Sequence, residues 1–244
     1  MRHILKNIEM PDKKNVRNMF NSIAGSYDKL NHIMSMNIDK AWRRKAIRMI
    51  AKGLPSEGGS LLDLACGTGD FSIAAAKSVP GIMVTGLDLS EGMLEVMGQK
   101  VAAEGLSDKI GMKLGDGENL PFEEGTFDRV SIAFGIRNFE NREQGLREML
   151  RVLKKGGRIV ILELSLPENP VIKWLFNLYF LHILPWIGGR ISGDSKAYRY
   201  LPASVVGFPK KDTFMATMSA CGLSNVGHKA LSLGICRMYW GEKA

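Results

Sequence analysis

Glycines and an acid follow two predicted strands of this chain at points where a ligand could reach them. Gly67, Thr68 and Gly69 follow the apolar run of residues 61–65 after one cysteine, and Asp88 follows a second apolar run, nineteen residues after Gly69. Glycines in such a turn let the backbone approach a ligand closely. An acid at the end of the second strand is placed to bind two ribose hydroxyls. This spacing predicts a site for a nucleotide-type cofactor.

The residues around the turn distinguish two classes of cofactor. A dinucleotide-binding motif has a third small residue three places after its second glycine, where this chain has Ser72. Asp63 and Asp70 flank the turn, and carboxylates there would repel a pyrophosphate. S-adenosylmethionine instead carries a sulfonium, an ammonium, a ribose and an adenine, so these acids favour it. A nicotinamide dinucleotide stays an alternative, as does a βαβ unit whose turn binds nothing.

The third predicted strand, residues 110–114, also ends in residues suited to a nucleoside, namely Asp116 and Gly117. In open α/β sheets, ligands bind beyond the carboxyl ends of the strands, where the strand order changes. We therefore expect the Asp116 carboxylate and the Gly117 amide to meet the adenine edge. The Thr68 hydroxyl is expected to donate to the methionine carboxylate of the cofactor. A role in the turn alone is the simpler alternative for Asp116.

A single arginine follows the fourth predicted strand, residues 127–133. Arg137 stands there in the sequence Phe-Gly-Ile-Arg-Asn, where its guanidinium would point over the mouth of the pocket and hold a developing oxyanion. The alternative is a structural ion pair with Glu140 or Glu163. The sequence also offers three acid or base groups, Tyr27, His182 and Tyr198. Packing in an apolar helix is the simpler interpretation of the histidine.

These residues need a sheet with helices on both faces to bring them together. The apolar runs predict five parallel strands, at residues 61–65, 82–87, 110–114, 127–133 and 158–164. Two closing strands, at residues 223–231 and 234–240, predict an antiparallel pair, so the α/β fold would contain seven strands. Helical spacing predicts helices over residues 13–30, 38–52, 143–153 and 210–222. Lys154–Gly157 is expected to close the third of these helices.

Composition restricts the class of protein. The 244 residues can bury a full core as one domain, and 45% hydrophobic with 24% charged residues is ordinary for a globular protein. Three cysteines without a CxxC pair argue against a zinc site, so no metal is expected, and they suit a reducing cytoplasm. The N-terminus is polar and charged, and no signal peptide is visible.

The net charge of +8 is concentrated at the N-terminus. Residues 1–60 hold twelve Lys and Arg against five Asp and Glu, whereas residues 61–244 hold twenty-one against twenty. A basic segment on a near-neutral body suggests an anionic partner, either a nucleic acid or an anionic membrane surface. A solvated helix face is the simpler alternative.

Residues 171–187 form a nearly continuous apolar stretch. It is seventeen residues long and is interrupted by Lys173 and Pro185, whereas a membrane span needs about 20 apolar residues. We interpret the stretch as an apolar helix and loop that lie over a hydrophobic pocket or dip into a bilayer interface. A buried core helix is the alternative.

Several longer motifs resemble the UbiE/MenG quinone C-methyltransferases over nearly the whole chain. They are the motifs at residues 21–28, 63–70, 120–122, 134–138, 153–157, 198–202 and 208–209. The Asp-x-x-x-Gly-x-Gly pattern alone indicates a class I methyltransferase, whereas Phe-Gly-Ile-Arg-Asn and Tyr-x-Tyr-Leu-Pro are specific to the family. This chain has Ala133 where some members have a serine, and Met36 and Asp39 where glycine and histidine are usual.

The resemblance implies one Rossmann-like, seven-stranded methyltransferase domain over residues 1–244. Residues 1–55 would form an N-terminal helical cap, and residues 166–210 an apolar insertion that covers the substrate. The implied cofactor is S-adenosylmethionine. Its positions in the family fall on Thr68, Asp88, Asp116 and Gly117, in agreement with the turn at Gly67.

The implied reaction is C-methylation of an isoprenoid quinol, demethylmenaquinol, to menaquinol, with Arg137 stabilising the quinol anion directly or through water. The basic N-terminus would hold a cytoplasmic protein on the inner face of the membrane. C-methylation of a benzoquinol in ubiquinone biosynthesis, an RNA methyltransferase and an inactive S-adenosylmethionine sensor are the alternatives. No aromatic and basic interleaving favours RNA, so no nucleic-acid partner is expected. A homodimer stays open.

Overall fold

A computed structural model of the chain describes residues 12–179 and 195–244. Its strands are β1 (Ser60–Leu64), β2 (Met83–Asp88), β3 (Ile110–Leu114), β4 (Phe127–Ala133), β5 (Leu153–Leu164), β6 (Ser224–Leu231) and β7 (Cys236–Glu242). They form one sheet in the order β3-β2-β1-β4-β5-β7-β6. The first five strands are parallel, and β7 runs antiparallel to β5 and β6. The predicted seven-stranded fold with a closing antiparallel pair is confirmed.

Helices cover both faces of this sheet. They are α1 (Lys13–Ile23), α2 (Tyr27–Met34), α3 (Ile38–Ala51), α4 (Asp70–Ser78), α5 (Glu91–Ala103), α6 (Arg142–Val152), α7 (Pro170–Leu178), α8 (Ser195–Val206) and α9 (Lys211–Ala220). A 3-10 turn at Ala24–Ser26 divides the helix predicted over residues 13–30 into α1 and α2. Part of the predicted apolar stretch, residues 180–187, lies outside the described residues, as does the start of the cap, residues 1–11.

Two hydrophobic cores lie on opposite faces of the sheet. Strand β1 contributes to both, because successive strand residues point to opposite faces. Leu61 packs in the core that contains Ile50 of α3, whereas Leu62 packs in the core that contains Met149 of α6. Burial on both faces explains why β1 reads as an almost continuous apolar run.

One predicted element is wrong: Lys154–Gly157 does not close α6 but belongs to the start of β5. Leu153 pairs with Phe127 of β4. The Gly156 amide donates to the Lys243 carbonyl at 2.8 Å, although its φ of +71° is that of a turn glycine. Partners on neighbouring segments therefore override the local helix-ending signal of the basic residues and glycines.

The strand order reverses between β1 and β4, and the segments that follow both strands meet at one edge of the sheet. This edge also receives the ends of β2 and β3, because all four strands are parallel. A 3-10 turn, Ile136–Asn138, follows β4 there. Within the described residues, no helix is both long and apolar enough to span a membrane.

Candidate active site

The turn between β1 and α4 brings backbone close to the edge of the sheet. Gly67 has a φ of +55° and Gly69 a φ of +83°, both in the left-handed region that glycine tolerates best. A Cβ atom on Gly69 would also lie 2.6 Å from Met97 Cγ. Glycine is therefore required here for backbone conformation and for packing, and α4 begins directly behind the turn at Asp70.

Asp88 lies at the end of β2 and faces a cleft beside this turn. Its Oδ2 accepts from the Gly67 amide at 2.8 Å and its Oδ1 from the Ser90 amide at 2.9 Å. Burial raises the pKa of Asp88 above its ordinary value, although these backbone donors oppose the shift. Each carboxylate oxygen keeps a further lone pair, which is what a ribose hydroxyl requires.

Asp116 and Gly117 line the same cleft beyond the end of β3. Asp116 Oδ1 accepts from the Glu118 amide at 2.9 Å, and its Oδ2 accepts from Lys13 Nζ of α1 at 2.7 Å. A Cβ atom on Gly117 would lie 2.6 Å from Phe139 Cζ. The cleft therefore joins the predicted adenine-edge residues to Asp88, and Lys13 is a neighbour that the sequence did not predict.

Helix α1 closes one side of the cleft. Arg17 Nε donates to Glu91 Oε2 at 2.9 Å. Asn21 Oδ1 accepts from the Ser90 hydroxyl at 2.5 Å and from the Gly92 amide at 3.0 Å. Helix α1, part of the predicted N-terminal cap, therefore lies over this cleft, and no local sequence signal indicates this position.

Thr68 is buried and is not part of the cleft wall. Its hydroxyl donates to Asp28 at the start of α2. Lys100 Nζ lies 2.6 Å from Asp28 and 2.5 Å from Asp70. A bond from the threonine to the cofactor carboxylate therefore requires that Asp28 release it, and Asp70 has a lysine partner in place of the cofactor's ammonium.

A charge network continues from Asp70 to α2 and α3. His32, Asp39 and Asp70 bring three metal-type ligand atoms within 4.8 Å of one another. Arg43 contacts both carboxylates, at 3.2 Å from Asp70, and supplies the positive charge that an ion would otherwise provide. We therefore interpret the group as ion pairs that hold α2 and α3 to the start of α4.

Asp63 lies fully buried beneath the turn rather than facing a ligand. It accepts from the Ser72 hydroxyl at 2.6 Å and from the Ser131 hydroxyl at 2.8 Å. Burial raises the pKa of Asp63 to about 6, and the two hydroxyl donors only partly oppose this shift. The acid predicted to attract a cationic cofactor therefore supports the turn from within the sheet.

This shift predicts a pH-dependent stability. The folded pKa of Asp63, about 6, lies above its ordinary value of 3.8, so unfolding is favoured as the pH rises and the unfolded carboxyl loses its proton. The contribution of Asp63 to the free energy of unfolding should fall by about 2–3 kcal/mol from pH 4 to 7. Asp63→Asn should remove that part of the slope in denaturant titrations. Parallel pH profiles for the two proteins would contradict the assignment.

A second cavity of about 410 Å³ adjoins the cleft. Its walls are mainly apolar and include Trp42, Leu164, Leu175, Phe176, Leu201 and Ile235. Tyr27 and Phe134 line both spaces, so the cleft and this cavity, which we call the acceptor cavity, meet at these two residues. Phe134 has a φ of +63°, an unusual value for a residue other than glycine and one that concentrates at functional sites.

Arg137 lies in the wall of the acceptor cavity and not of the cleft. Its side chain is buried, with Nη1 at 2.8 Å from Glu163 Oε1 and Nε donating to the Ser204 hydroxyl at 3.3 Å. The structure therefore contains the ion pair with Glu163 that the sequence offered as an alternative, and at the same time exposes the arginine to the cavity. Of the acid or base candidates, Tyr27 borders this cavity, whereas His182 and the side chain of Tyr198 lie outside the described residues.

The fold and the cleft define a class I S-adenosylmethionine-dependent methyltransferase. The cleft fits this cofactor, because a buried carboxylate with free lone pairs faces it. Gly117 also lines the cleft, and a side chain at its position would collide with Phe139. A methyltransferase from Aquifex aeolicus shares the fold with a TM-score of 0.59 at 17% identity, over 83% of this chain and 89% of that one. Phosphoethanolamine N-methyltransferase 2 from Haemonchus contortus, solved with S-adenosylmethionine, gives 0.61 at 14% identity, over 83% and 52%.

The particular family follows from the sequence comparisons. The ubiE/COQ5 methyltransferase family matches residues 8–243, and this chain belongs to it. The ubiquinone/menaquinone biosynthesis C-methyltransferase UbiE of Geotalea daltonii is 48% identical over 229 residues, 93% of this chain and 96% of that protein. The demethylmenaquinone methyltransferase of Bacteroides fragilis is 42% identical over 228 residues, 93% and 92%. The predicted family and its cofactor are confirmed.

Proposed function

We propose that this protein methylates a ring carbon of demethylmenaquinol and so forms menaquinol. The observation that carries the proposal is the acceptor cavity of about 410 Å³, which meets the cofactor cleft at Tyr27 and Phe134. A mainly apolar cavity suits a hydrophobic aromatic acceptor. The names of relatives support this acceptor, since those of Bacteroides fragilis and Porphyromonas gingivalis are demethylmenaquinone methyltransferases.

The cofactor would be held by residues of the cleft. Asp88 would accept from the ribose hydroxyls, while Asp116 and the Gly117 amide would meet the adenine edge once Lys13 moves from Asp116. When bound, S-adenosylmethionine supplies a sulfonium methyl group, which a ring carbon of the quinol takes with loss of one ring proton and formation of the demethylated cofactor. Enclosure by α1 orients the reactants and excludes water.

Arg137 would stabilise the negative charge that activates the ring carbon. A quinol carbon attacks well only when the neighbouring hydroxyl is at least partly deprotonated, so a donor to that oxygen favours the reaction. Nη1 and Nε are occupied by protein contacts. Within the part of the chain that the structure describes, Nη2 donates no hydrogen bond, so it is the nitrogen available to the acceptor oxygen. Glu163 fixes the orientation of the guanidinium.

A direct assay tests the proposed function. The purified protein is incubated with methyl-labelled cofactor and, separately, with a prenylated naphthoquinol, a prenylated benzoquinol and total RNA, all quinols being kept reduced. We expect label in the naphthoquinol. Faster labelling of the benzoquinol would assign the protein to ubiquinone biosynthesis instead. Cofactor binding without methylation of either quinol would overturn the proposal.

The mouth of the acceptor cavity supports a further proposal, peripheral association with the inner face of an anionic membrane. The exposed apolar residues Met36, Ile38, Leu175 and Leu233 surround this mouth.

Positive charge lies beside the mouth on α3 and not on α1. Lys13 and Arg17 of α1 already have acidic partners. The exposed cations of α3 have none among the described residues; they are Lys40, Arg44, Lys45 and Arg48. Helix α3 begins at Ile38 on the rim, so a membrane that meets the mouth also meets positive charge. Isoprenoid quinol could then pass from lipid into the cavity of a cytoplasmic protein.

Vesicle flotation tests this docking surface. Reversing two charges in Arg44→Glu/Lys45→Glu should weaken binding to anionic vesicles at least tenfold, since each basic residue near such a surface contributes about 1 kcal/mol. Lys109→Glu is the matched control, because this exposed lysine precedes β3 at the opposite edge of the sheet. Binding should decrease with salt. Equal binding to neutral and anionic vesicles would contradict the electrostatic contribution.

A further inference from the structure

Tyr27 stands where the cofactor cleft and the acceptor cavity meet. Its ring packs over the cofactor turn, since a Cβ atom on Gly67 would lie 3.9 Å from Tyr27 Cε1. The ring of Phe20 packs against it edge to face, with a centroid distance of 6.0 Å and an interplanar angle of 79°. Helix α1 and the turn thus hold the ring between them, and a reaction between the two spaces takes place beside it.

The start of α2 is tied to the same turn. Asp28, the next residue, accepts from the Thr68 hydroxyl and lies 2.6 Å from Lys100 Nζ. The backbone of Tyr27 is therefore fixed relative to the segment that carries the cofactor. The protein's own contacts therefore hold this ring in place without a bound substrate.

The phenol of Tyr27 lies among charges from three other elements. Burial raises its pKa above the ordinary value, Asp88 of β2 acts in the same direction, and the guanidiniums of Arg137 and Arg43 lower it. The Asn31 side chain on α2 also lowers this pKa. Because the pKa shifts upward from an ordinary value of 10.0, the phenol is protonated at neutral pH and can donate a hydrogen bond. Both arginines line the acceptor cavity.

We propose that Tyr27 is a further catalytic residue of the methyl transfer, whose phenol donates a hydrogen bond to the acceptor oxygen next to the methylated carbon. The inference rests on the proposed function. An acceptor oxygen beside the phenol would lie in a cavity whose wall also carries Arg137 and Arg43, so these groups would favour negative charge as it develops. The same bond holds the ring carbon toward the cleft. No proton has to leave Tyr27.

The test removes the hydroxyl and keeps the ring. Tyr27→Phe should bind S-adenosylhomocysteine within about twofold of the wild-type affinity and lose about a hundredfold in kcat. Its rate should rise more steeply with pH, because hydroxide then generates the quinol anion that the phenol no longer favours. Tyr239→Phe is the matched control. That tyrosine is buried in β7, and its hydroxyl has no hydrogen-bond partner among the described residues, so its turnover should stay unchanged.

Three outcomes would overturn the inference. Tyr27→Phe with wild-type kcat and pH profile removes the hydrogen bond from the mechanism. A loss confined to cofactor affinity makes Tyr27 a cofactor-binding residue only. If Tyr27→Phe does not fold, Tyr27→Leu replaces it, and a folded Tyr27→Leu with normal turnover also overturns the role. Wild-type protein that methylates no quinol instead refutes the proposed function, and this inference with it.

Discussion

Replacement of Arg137 should lower turnover by about a hundred to a thousandfold and leave cofactor affinity unchanged. The arginine lines the acceptor cavity and not the cofactor cleft, so its loss affects the acceptor side alone. One donor to a developing oxyanion contributes roughly 3–4 kcal/mol. Arg137→Lys should restore only part of the rate, because lysine lacks the planar fork of the guanidinium.

The ion pair with Glu163 determines how this experiment is designed. Glu163 is fully buried, so Arg137→Ala leaves an uncompensated carboxylate and costs roughly 3–5 kcal/mol of stability. The double variant Arg137→Met/Glu163→Gln removes both charges, and Glu163→Gln alone is its control. Thermal unfolding, S-adenosylhomocysteine affinity and quinol methylation across a pH series are measured for the wild type, the double variant and Glu163→Gln. The rate of methylation by the double variant should depend more strongly on pH than the rate of the wild type.

A folded double variant with near-normal turnover would show that Arg137 is structural. The pair with Glu163 would then account for the arginine completely, as an anchor of the 3-10 turn after β4. Tyr27 would remain as the donor that faces the acceptor oxygen.

Asp88→Ala should weaken binding of S-adenosylmethionine and of its demethylated product by about 1–3 kcal/mol, or roughly five- to 150-fold. Asp88→Asn should act similarly. Each oxygen of this carboxylate accepts from a backbone amide, Gly67 on one side and Ser90 on the other. An asparagine must present its NH₂ group to one of these N–H donors, so the turn and the ribose contact are disturbed together.

Calorimetry with the two cofactor forms measures this effect, and NAD should give no response. Asp108→Asn is the matched control, because this aspartate is exposed in the loop before β3. Unchanged affinity in a folded Asp88→Ala protein would remove Asp88 from the site. Weakened affinity in Asp108→Asn would indicate a general effect of charge rather than a ribose contact.

The sequence by itself determined the seven strands apart from the start of β5, their α/β arrangement and the principal residues of the cleft. Strand β1 is recognisable because burial on both faces requires continuous apolar residues, and Asp88 is recognisable because its spacing from Gly69 follows from one βαβ unit. These features depend on residues close together in the chain. The local sequence pattern specifies the backbone geometry of the βαβ unit, and that geometry places these residues relative to one another.

The tertiary structure alone decided what each polar group in the site contacts. Lys13 reaches Asp116 across 103 residues, and Ser131 reaches Asp63 across 68. Arg137 forms an ion pair with Glu163 of the neighbouring strand β5. The packing of α1 and α2 over the sheet edge places Tyr27 between the cofactor cleft and the acceptor cavity. No local pattern encodes such contacts, because their geometry follows from how separate elements pack. For the same reason Leu153–Gly157 begins β5 instead of ending a helix, because its backbone partners come from β4 and from the residue after β7.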